Sequence, residues 1–234
     1  MRGVGEWVAH LRAHIPLALS GEDPEGVHQV RVAGRRLRVY LDLLGWRLLQ
    51  DDLRRLVRGA GRVRDLEVAL TGPSALPPGF RAHLAEELRL ARANLPGLLA
   101  SPWTEALLRA LAVLPPLDAG VAEKSLERLV ARAEARLAGL GREPSLEALH
   151  AYRRALRRVR YAKEFLGLPA KREKALQEVL GGLQDLDVLL GLLVAYLAQA
   201  QDPEAAALRE RLEAKRQKGL AEVWGHLGLA SDHA

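Results

Sequence analysis

The chain of 234 residues has no cysteine, a single methionine, two phenylalanines and only 4% aromatic residues. Lacking thiols, it cannot form disulfides, thiolate metal sites or cysteine nucleophiles, a composition that suits a reducing interior. The expected compartment is the cytoplasm. The longest apolar run, Val188 to Ala198 with its glycine and tyrosine, is shorter than the roughly 18–20 residues that span a bilayer. The opening residues MRGVGEWVAHLRAH are too charged for a signal peptide, so no membrane partner is expected. No GxxxxGK loop is present to cradle phosphates, and no GxSxG setting surrounds any of the six serines. The four tryptophans, at 7, 46, 103 and 224, are scattered and read as anchors of core or bundle ends. Their sparsity counts against single-stranded nucleic acid as a ligand, which relies on stacking platforms. Glu6, His10 and His14 share one helix face at four-residue spacing, but no HExxH motif accompanies them, and they read as surface or packing residues.

With 49% hydrophobic and 27% charged residues, the chain has enough apolar material for a real core, as one sizeable domain or two small ones. Strand signals are nearly absent. Long Ala/Leu/Arg/Glu stretches carry apolar residues three and four apart, which predicts an all-α protein. Breaks fall at Ser20–Pro24, near Gly45, at Thr71–Gly79, Pro96–Pro102, Pro115–Gly120, Gly139–Ser145, Gly167–Pro169 and Gln201–Pro203. They predict about nine helices joined by short connections, so that neighbours pack antiparallel as in a bundle.

Charge is concentrated rather than spread. Arginine supplies 29 of the 35 basic residues, and the net charge is +6. Val27 to Arg64 alone carries +7, as does His150 to Lys174, which leaves the remaining chain at −8. Two basic segments in an acidic frame read as an electrostatic footprint for an anionic partner.

The same two segments carry an internal repeat. His28, Arg31, Arg35, Arg36 and Arg38 align with His150, Arg153, Arg157, Arg158 and Arg160 at an offset of 122, and Asp42 then falls on Glu164. Farther on, Gly61, Asp65, Leu66 and Val68 align with Gly181, Asp185, Leu186 and Val188 at an offset of 120. Residues 1–115 and 116–234 are read as two halves related by a pseudo-twofold axis. On a helix, His28, Arg31, Arg35 and Arg38 fall within an arc of roughly 80°, opposite Val30, Ala33, Leu37 and Leu41. His150, Arg153, Arg157 and Arg160 repeat the pattern. Like charges at this spacing cost a few tenths of a kcal/mol per pair, a cost that a bound anion offsets. If the halves face one another, the two stripes line one groove, and guanidinium forks grip phosphate oxygens in pairs. A second stripe, Arg55, Arg58, Arg62 and Asp65, has a weaker counterpart: Lys171, Arg172 and Lys174 remain, but Glu178 and Gly182 stand where arginines would align. The groove is therefore expected to be lopsided. Asp65 and Asp185 read as acids that orient arginines, and Asp42 or Glu164 as the acid that pins the last arginine of its own stripe.

The pattern H-x-x-R-x-x-x-R-R-x-R, an R-D-L-E-V segment and a second H-x-x-R-x-x-x-R-x-x-R-Y-x-x-E together resemble the CHAD domain, the conserved histidine α-helical domain. The resemblance covers nearly the whole chain. It implies two antiparallel four-helix bundles about a pseudo-twofold axis, enclosing a basic pore that binds inorganic polyphosphate, for which sulfate or phosphate can substitute, without catalytic activity or a cofactor. Carried over by position, the polyphosphate-binding candidates are His28, Arg31, Arg35, Arg36, Arg38, Arg58, Arg62 and Arg64 in the first half. In the second they are His150, Arg153, Arg157, Arg158, Arg160 and Lys163. Two departures stand out: Gln184 replaces a second arginine before Asp185, and the 234 residues contain no CYTH triphosphatase-like domain, which is often fused to this family. A stand-alone binding or targeting module is implied, with polyphosphate granules as a possible site of action. Two other functions fit the charge. Duplex DNA or structured RNA would use the same basic surface, though no helix-turn-helix or RNA-binding signature is present. A phosphohydrolase or phosphotransferase using His28 or His150 would need metal-dependent chemistry, for which the sequence offers no paired acidic metal site.

Overall fold

A computed structural model describes residues 3–72, 75–141 and 144–227. Of these, 82% are helical and none lies in a strand, so the fold is all-α. The chain begins with α1 (Val4–Ser20), α2 (Pro24–Leu43), α3 (Gln50–Gly59), α4 (Gly61–Thr71) and α5 (Pro78–Ala93). A short α6 (Leu95–Leu99) and α7 (Pro102–Ala112) lead to α8 (Ala119–Ala138), α9 (Leu146–Phe165), α10 (Lys171–Leu197) and α11 (Pro203–Leu227). Pro73, Ser74, Arg142 and Glu143, which belong to two of the expected breaks, lie outside the described residues.

The described residues form eleven helices where the breaks predict nine. One addition is α6, a turn of helix inside the Pro96–Pro102 break. The other is an interruption at Ala60, which separates α3 from α4 between two glycines, the weakest helix formers after proline. The backbone ladder is only briefly disturbed there, with the Ala60 N–H still donating to the Leu56 carbonyl at 3.2 Å. No proline marks the spot, so hydrophobic periodicity runs straight through it. The equivalent stretch of the other half is the continuous helix α10.

The repeat reaches into helix boundaries and caps. Both α2 and α9 are twenty residues long, and their ends differ by 122 positions at each terminus. Asp23 and Ser145 are their N-caps, each accepting a backbone N–H with its side chain. Each ends in a glycine with positive φ, Gly45 at 71° and Gly167 at 74°. The next backbone N–H donates to a carbonyl five residues back, Trp46 to Leu41 at 2.9 Å and Leu168 to Lys163 at 2.8 Å. Glycine accepts this left-handed conformation without the Cβ clash that another residue would suffer.

Packing between neighbours is antiparallel where contacts fix the direction. Along α2, Gly26 meets the α1 backbone at Leu17 and Ala18, Gln29 bonds His10, and Arg36 stacks over Trp7. Along α10, Leu183 approaches Gly219, Asp187 bonds Arg216, and Tyr196 bonds Asp202, all on or just before α11. Four apolar cores result. One lies within the first half around Leu11, Leu37 and Leu56, and one joins α9 to α10 and α11 around Tyr152 and Leu180. The other two draw on both sides of the chain midpoint: Leu66 and Phe80 pack with Leu193 and Leu208, and Val39 and Leu43 pack with Val159 and Ala162. By length and composition α10 is apolar enough to cross a membrane, with a hydropathy of 1.6 over its most apolar window. Counting unbroken apolar runs overlooks this because Gln184, Asp185 and Asp187 interrupt the run. Trp46, expected as an anchor, is 40% exposed.

The two motif helices are clasped to one another by a reciprocal exchange of ion pairs. Arg36 of α2 binds Glu164 of α9 at 2.5 Å, and Arg158 of α9 binds Asp42 of α2. These are the same two repeat positions with their partners swapped, the signature of a self-complementary contact across a twofold. Arg36 also lies between the rings of Trp7 and Tyr161, at 4.4 and 4.2 Å from their centroids. Glu164 pairs with Arg160 of its own stripe too, at 3.1 Å, as expected from spacing. Asp42 does not touch Arg38 directly. Gln50 stands between them, accepting from Arg38 Nε and donating to Asp42. A double-mutant cycle on Asp42→Asn and Arg158→Gln, read by urea unfolding, is expected to give a coupling energy of about 1 kcal/mol. Additive effects would mean that the pair does not hold the helices together.

Candidate anion-binding groove

Between the clasped helices lies a cavity of about 710 Å³ whose walls come from α2, α3, α4, α8, α9 and α10. The apolar face of α2 (Val30, Ala33, Leu37 and Leu41) is fully buried, which turns the opposite face, with His28, Arg31, Arg35 and Arg38, into the cavity. Burial of Tyr152, Ala155 and Val159 on α9 likewise directs Arg153 and Arg157 toward them. Twelve arginines line the space against two acids, Asp65 and Asp185.

Of the fourteen candidates, His28, Arg31, Arg35, Arg38, Arg58, Arg64, Arg153, Arg157 and Arg158 line the cavity. The other five turn elsewhere, each for a visible reason. Arg36 and Arg160 engage Glu164. Lys163 bonds Glu173 at 2.7 Å. His150 sits 3.3 Å from the buried carboxylate of Asp187, which also holds Arg216 at 2.5 Å. Arg62 pairs with Glu87 at 2.5 Å, and Arg64, about 200° farther round α4, lines the groove in its place. The predicted second stripe is divided between the groove and a neighbouring surface. Arg58 and Asp65 stay on the groove, while Arg55 stacks over Trp103 at 4.4 Å.

Sequence reasoning missed Arg54, Arg154, Arg132 and Arg136 as lining residues. Arg154 adjoins a motif arginine, and Arg132 and Arg136 are one turn apart on α8, but neither position repeats in the other half. Gln50, which fixes Arg38, carries no charge signal at all.

The repeated glycine and aspartate also acquire a role. A Cβ at Gly61 would lie 2.6 Å from Arg31 Nη1, and one at Gly181 would lie 3.8 Å from Arg153 Nη2. Arg31 and Arg153 are equivalent in the repeat, so each glycine lies beside the stripe arginine of its own half, and at Gly61 a side chain would crowd it. Arg31 is anchored to the Val57 carbonyl at 3.2 Å and stands 3.9 Å from Asp65. Arg153 reaches Gln184 at 3.5 Å. Asp65 thus lies beside a stripe arginine that the Val57 carbonyl anchors.

The crowding has an electrostatic consequence. Burial, then the neighbouring charge of Arg35, lowers the Arg31 guanidinium to about 10 and that of Arg157 to about 9. Both values lie above neutral pH, so these side chains remain cationic. For His28, burial and then Arg64 act downward, with Arg35 and Arg31 adding to them against the upward pull of Glu25. Its imidazole is therefore mostly neutral at pH 7. Among the described residues there is no group of three histidine or acidic side chains arranged to hold a metal ion.

The described residues thus form an all-α fold around an arginine-lined cavity. The family model described as the CHAD domain matches residues 2–170, and the chain belongs to this family, which is associated with polyphosphate binding. Among solved structures, the crystal structure of the CHAD domain from the plant Ricinus communis is similar, with 28% identity and a TM-score of 0.77. That match covers 96% of this chain and 89% of the plant one. PptA from Streptomyces chartreusis shares the fold at 18% identity and a TM-score of 0.68, covering 98% of this chain and 99% of its own. No curated protein matches the sequence.

The charge environment makes one prediction that needs no ligand. In an NMR titration, His28 is expected to titrate below its ordinary 6.5, and Arg64→Gln is expected to move its midpoint upward. A midpoint unmoved by Arg64→Gln would contradict the geometry of the groove.

Proposed function

We propose that this protein is a non-enzymatic binding module for inorganic polyphosphate, held in the groove between α2 and α9. The observation that carries the reading is the opposition of two repeat-related guanidinium rows, Arg31, Arg35 and Arg38 against Arg153 and Arg157, around one cavity with twelve arginines and two acids. Such a site suits a ligand with a dense, regular series of anionic oxygens. Each guanidinium offers paired, charge-assisted hydrogen bonds, and no aromatic platform or base-reading element is needed. His28, at one end of its row, adds a donor that becomes charged when phosphate approaches.

Binding is expected to weaken steeply as salt rises, because each phosphate neutralised by an arginine releases counterions. Replacing His28, Arg31 and Arg35 together by alanine is expected to remove most of the affinity in calorimetry, with helical content unchanged by circular dichroism. Polyphosphate affinity preserved in that triple variant would refute the assignment. Competition at equal charge separates this reading from a nucleic-acid one, because the module prefers polyphosphate to duplex DNA or structured RNA. Incubation with polyphosphate and Mg²⁺ is expected to release no phosphate.

The sign of the pH dependence follows from His28. Its pKa lies below 6.5 and rises when an anion comes beside it, so binding takes up a proton. Affinity is therefore expected to increase as pH falls from 8 to 6, and His28→Gln is expected to flatten this dependence. An unchanged slope in that variant would remove His28 from the site.

A further inference from the structure

Outside the main groove, α3 carries a second basic depression of about 720 Å³, lined by Arg54, Arg55, Arg58 and Asn94. Two of these residues, Arg54 and Arg58, also line the groove, so the two cavities share one arginine wall. Arg55 lies on the depression side alone. Its guanidinium carbon lies 4.4 Å from the centroid of the Trp103 ring, and the Trp103 indole N–H is itself fixed to Asp52 at 3.0 Å. A stacked guanidinium keeps its N–H edges available for an anion while losing little conformational freedom on binding. Asp51 brings one acid to the depression, but it is engaged by Arg54 at 2.6 Å.

The other half lacks this feature. At the repeat offset of 120, Arg54, Arg55 and Arg58 correspond to Lys174, Ala175 and Glu178. There Lys174 is paired with Glu178 at 4.0 Å. The basic surface therefore continues past the groove over α3 and is neutralised at the equivalent place on α10.

We infer that the groove has a single anion-conducting mouth. A linear polyphosphate too long for the cavity leaves it between Arg54 and Arg58 and continues into a distal subsite built by Arg55 and Asn94. The inference rests on the function proposed above and adds a one-sided extension to it. It makes affinity depend on chain length through residues that do not line the groove.

The test compares tripolyphosphate with a polyphosphate of about one hundred units against the intact chain and three variants, by calorimetry over a range of salt. Arg55→Gln is expected to weaken the long chain about three- to tenfold and to lower the slope of log affinity against log salt by a little under one, with tripolyphosphate unaffected. Asn94→Asp places a negative charge in the depression without disturbing Trp103, and is expected to act in the same direction. Lys174→Gln, at the equivalent place in the other half, is expected to change neither ligand. Long-chain affinity and salt slope equal to the parent protein in both Arg55→Gln and Asn94→Asp would overturn the distal subsite while leaving the groove intact. Equal losses for both ligands would overturn it too, since they would place Arg55 in support of the groove itself. Failure of the parent protein to bind either polymer would instead overturn the proposed function, and the subsite with it.

Discussion

Everything else in this fold depends on keeping two rows of like charge face to face. Helices with arginines at three- and four-residue spacing lose stability from their own repulsion, and bringing two such helices together compounds the loss. The protein offsets it at the back of each helix and at the seam between them. Fully buried apolar positions on α2, together with Val39 and Leu43 packed on Val159 and Ala162 of α9, fix the helices through shared cores. At the seam, Arg36 with Glu164 and Arg158 with Asp42 convert two further arginines from repelling groups into clasps. Most of the remaining groove arginines, Arg35, Arg38, Arg153 and Arg157 among them, have no ion pair with an acid among the described residues. Arg31 and Arg157 show the cost, since burial and neighbouring cations lower their pKa values while leaving them charged at neutral pH.

This arrangement explains why each motif contains adjacent arginines. Arg35 and Arg36, like Arg157 and Arg158, lie about 100° apart on their helices. On α2 the first looks into the groove, while the second faces Trp7, Tyr161 and Glu164. On α9, Arg157 is in the groove and Arg158 reaches across to Asp42 at its edge. Binding surface and structural clasp are thus written into consecutive positions. Gly61 belongs to the same logic, leaving room for Arg31 where a side chain would crowd it.

Much of this was legible in the sequence. Apolar spacing and the scarcity of strand signals indicated an all-α protein, and the repeat at offset 122 matches both ends of α2 and α9 and their glycine caps. The stripe His28, Arg31, Arg35, Arg38 could be placed on one face from helical geometry alone. Other features depend on tertiary contacts that no local pattern encodes. The break at Ala60 has no proline to announce it, and the packing of α4 turns Arg64 to the groove and Arg62 to Glu87. His150 occupies the same repeat position as His28 but is drawn to Asp187 by α10, where Arg216 of α11 shares the carboxylate. The arginines of α8 lie far from both motifs in sequence and join the site only because α8 packs beside α9. Near-symmetry in sequence thus leads to an asymmetric site, basic over α3 and neutralised at Lys174 and Glu178.

The most direct measurement is a crystal structure of the protein grown or soaked with polyphosphate. Ordered phosphates running between α2 and α9, within hydrogen-bond distance of both Arg35 and Arg157, are the predicted result. Phosphates bound only on the outer faces of these helices, with the space between the two rows filled by water alone, would contradict the account.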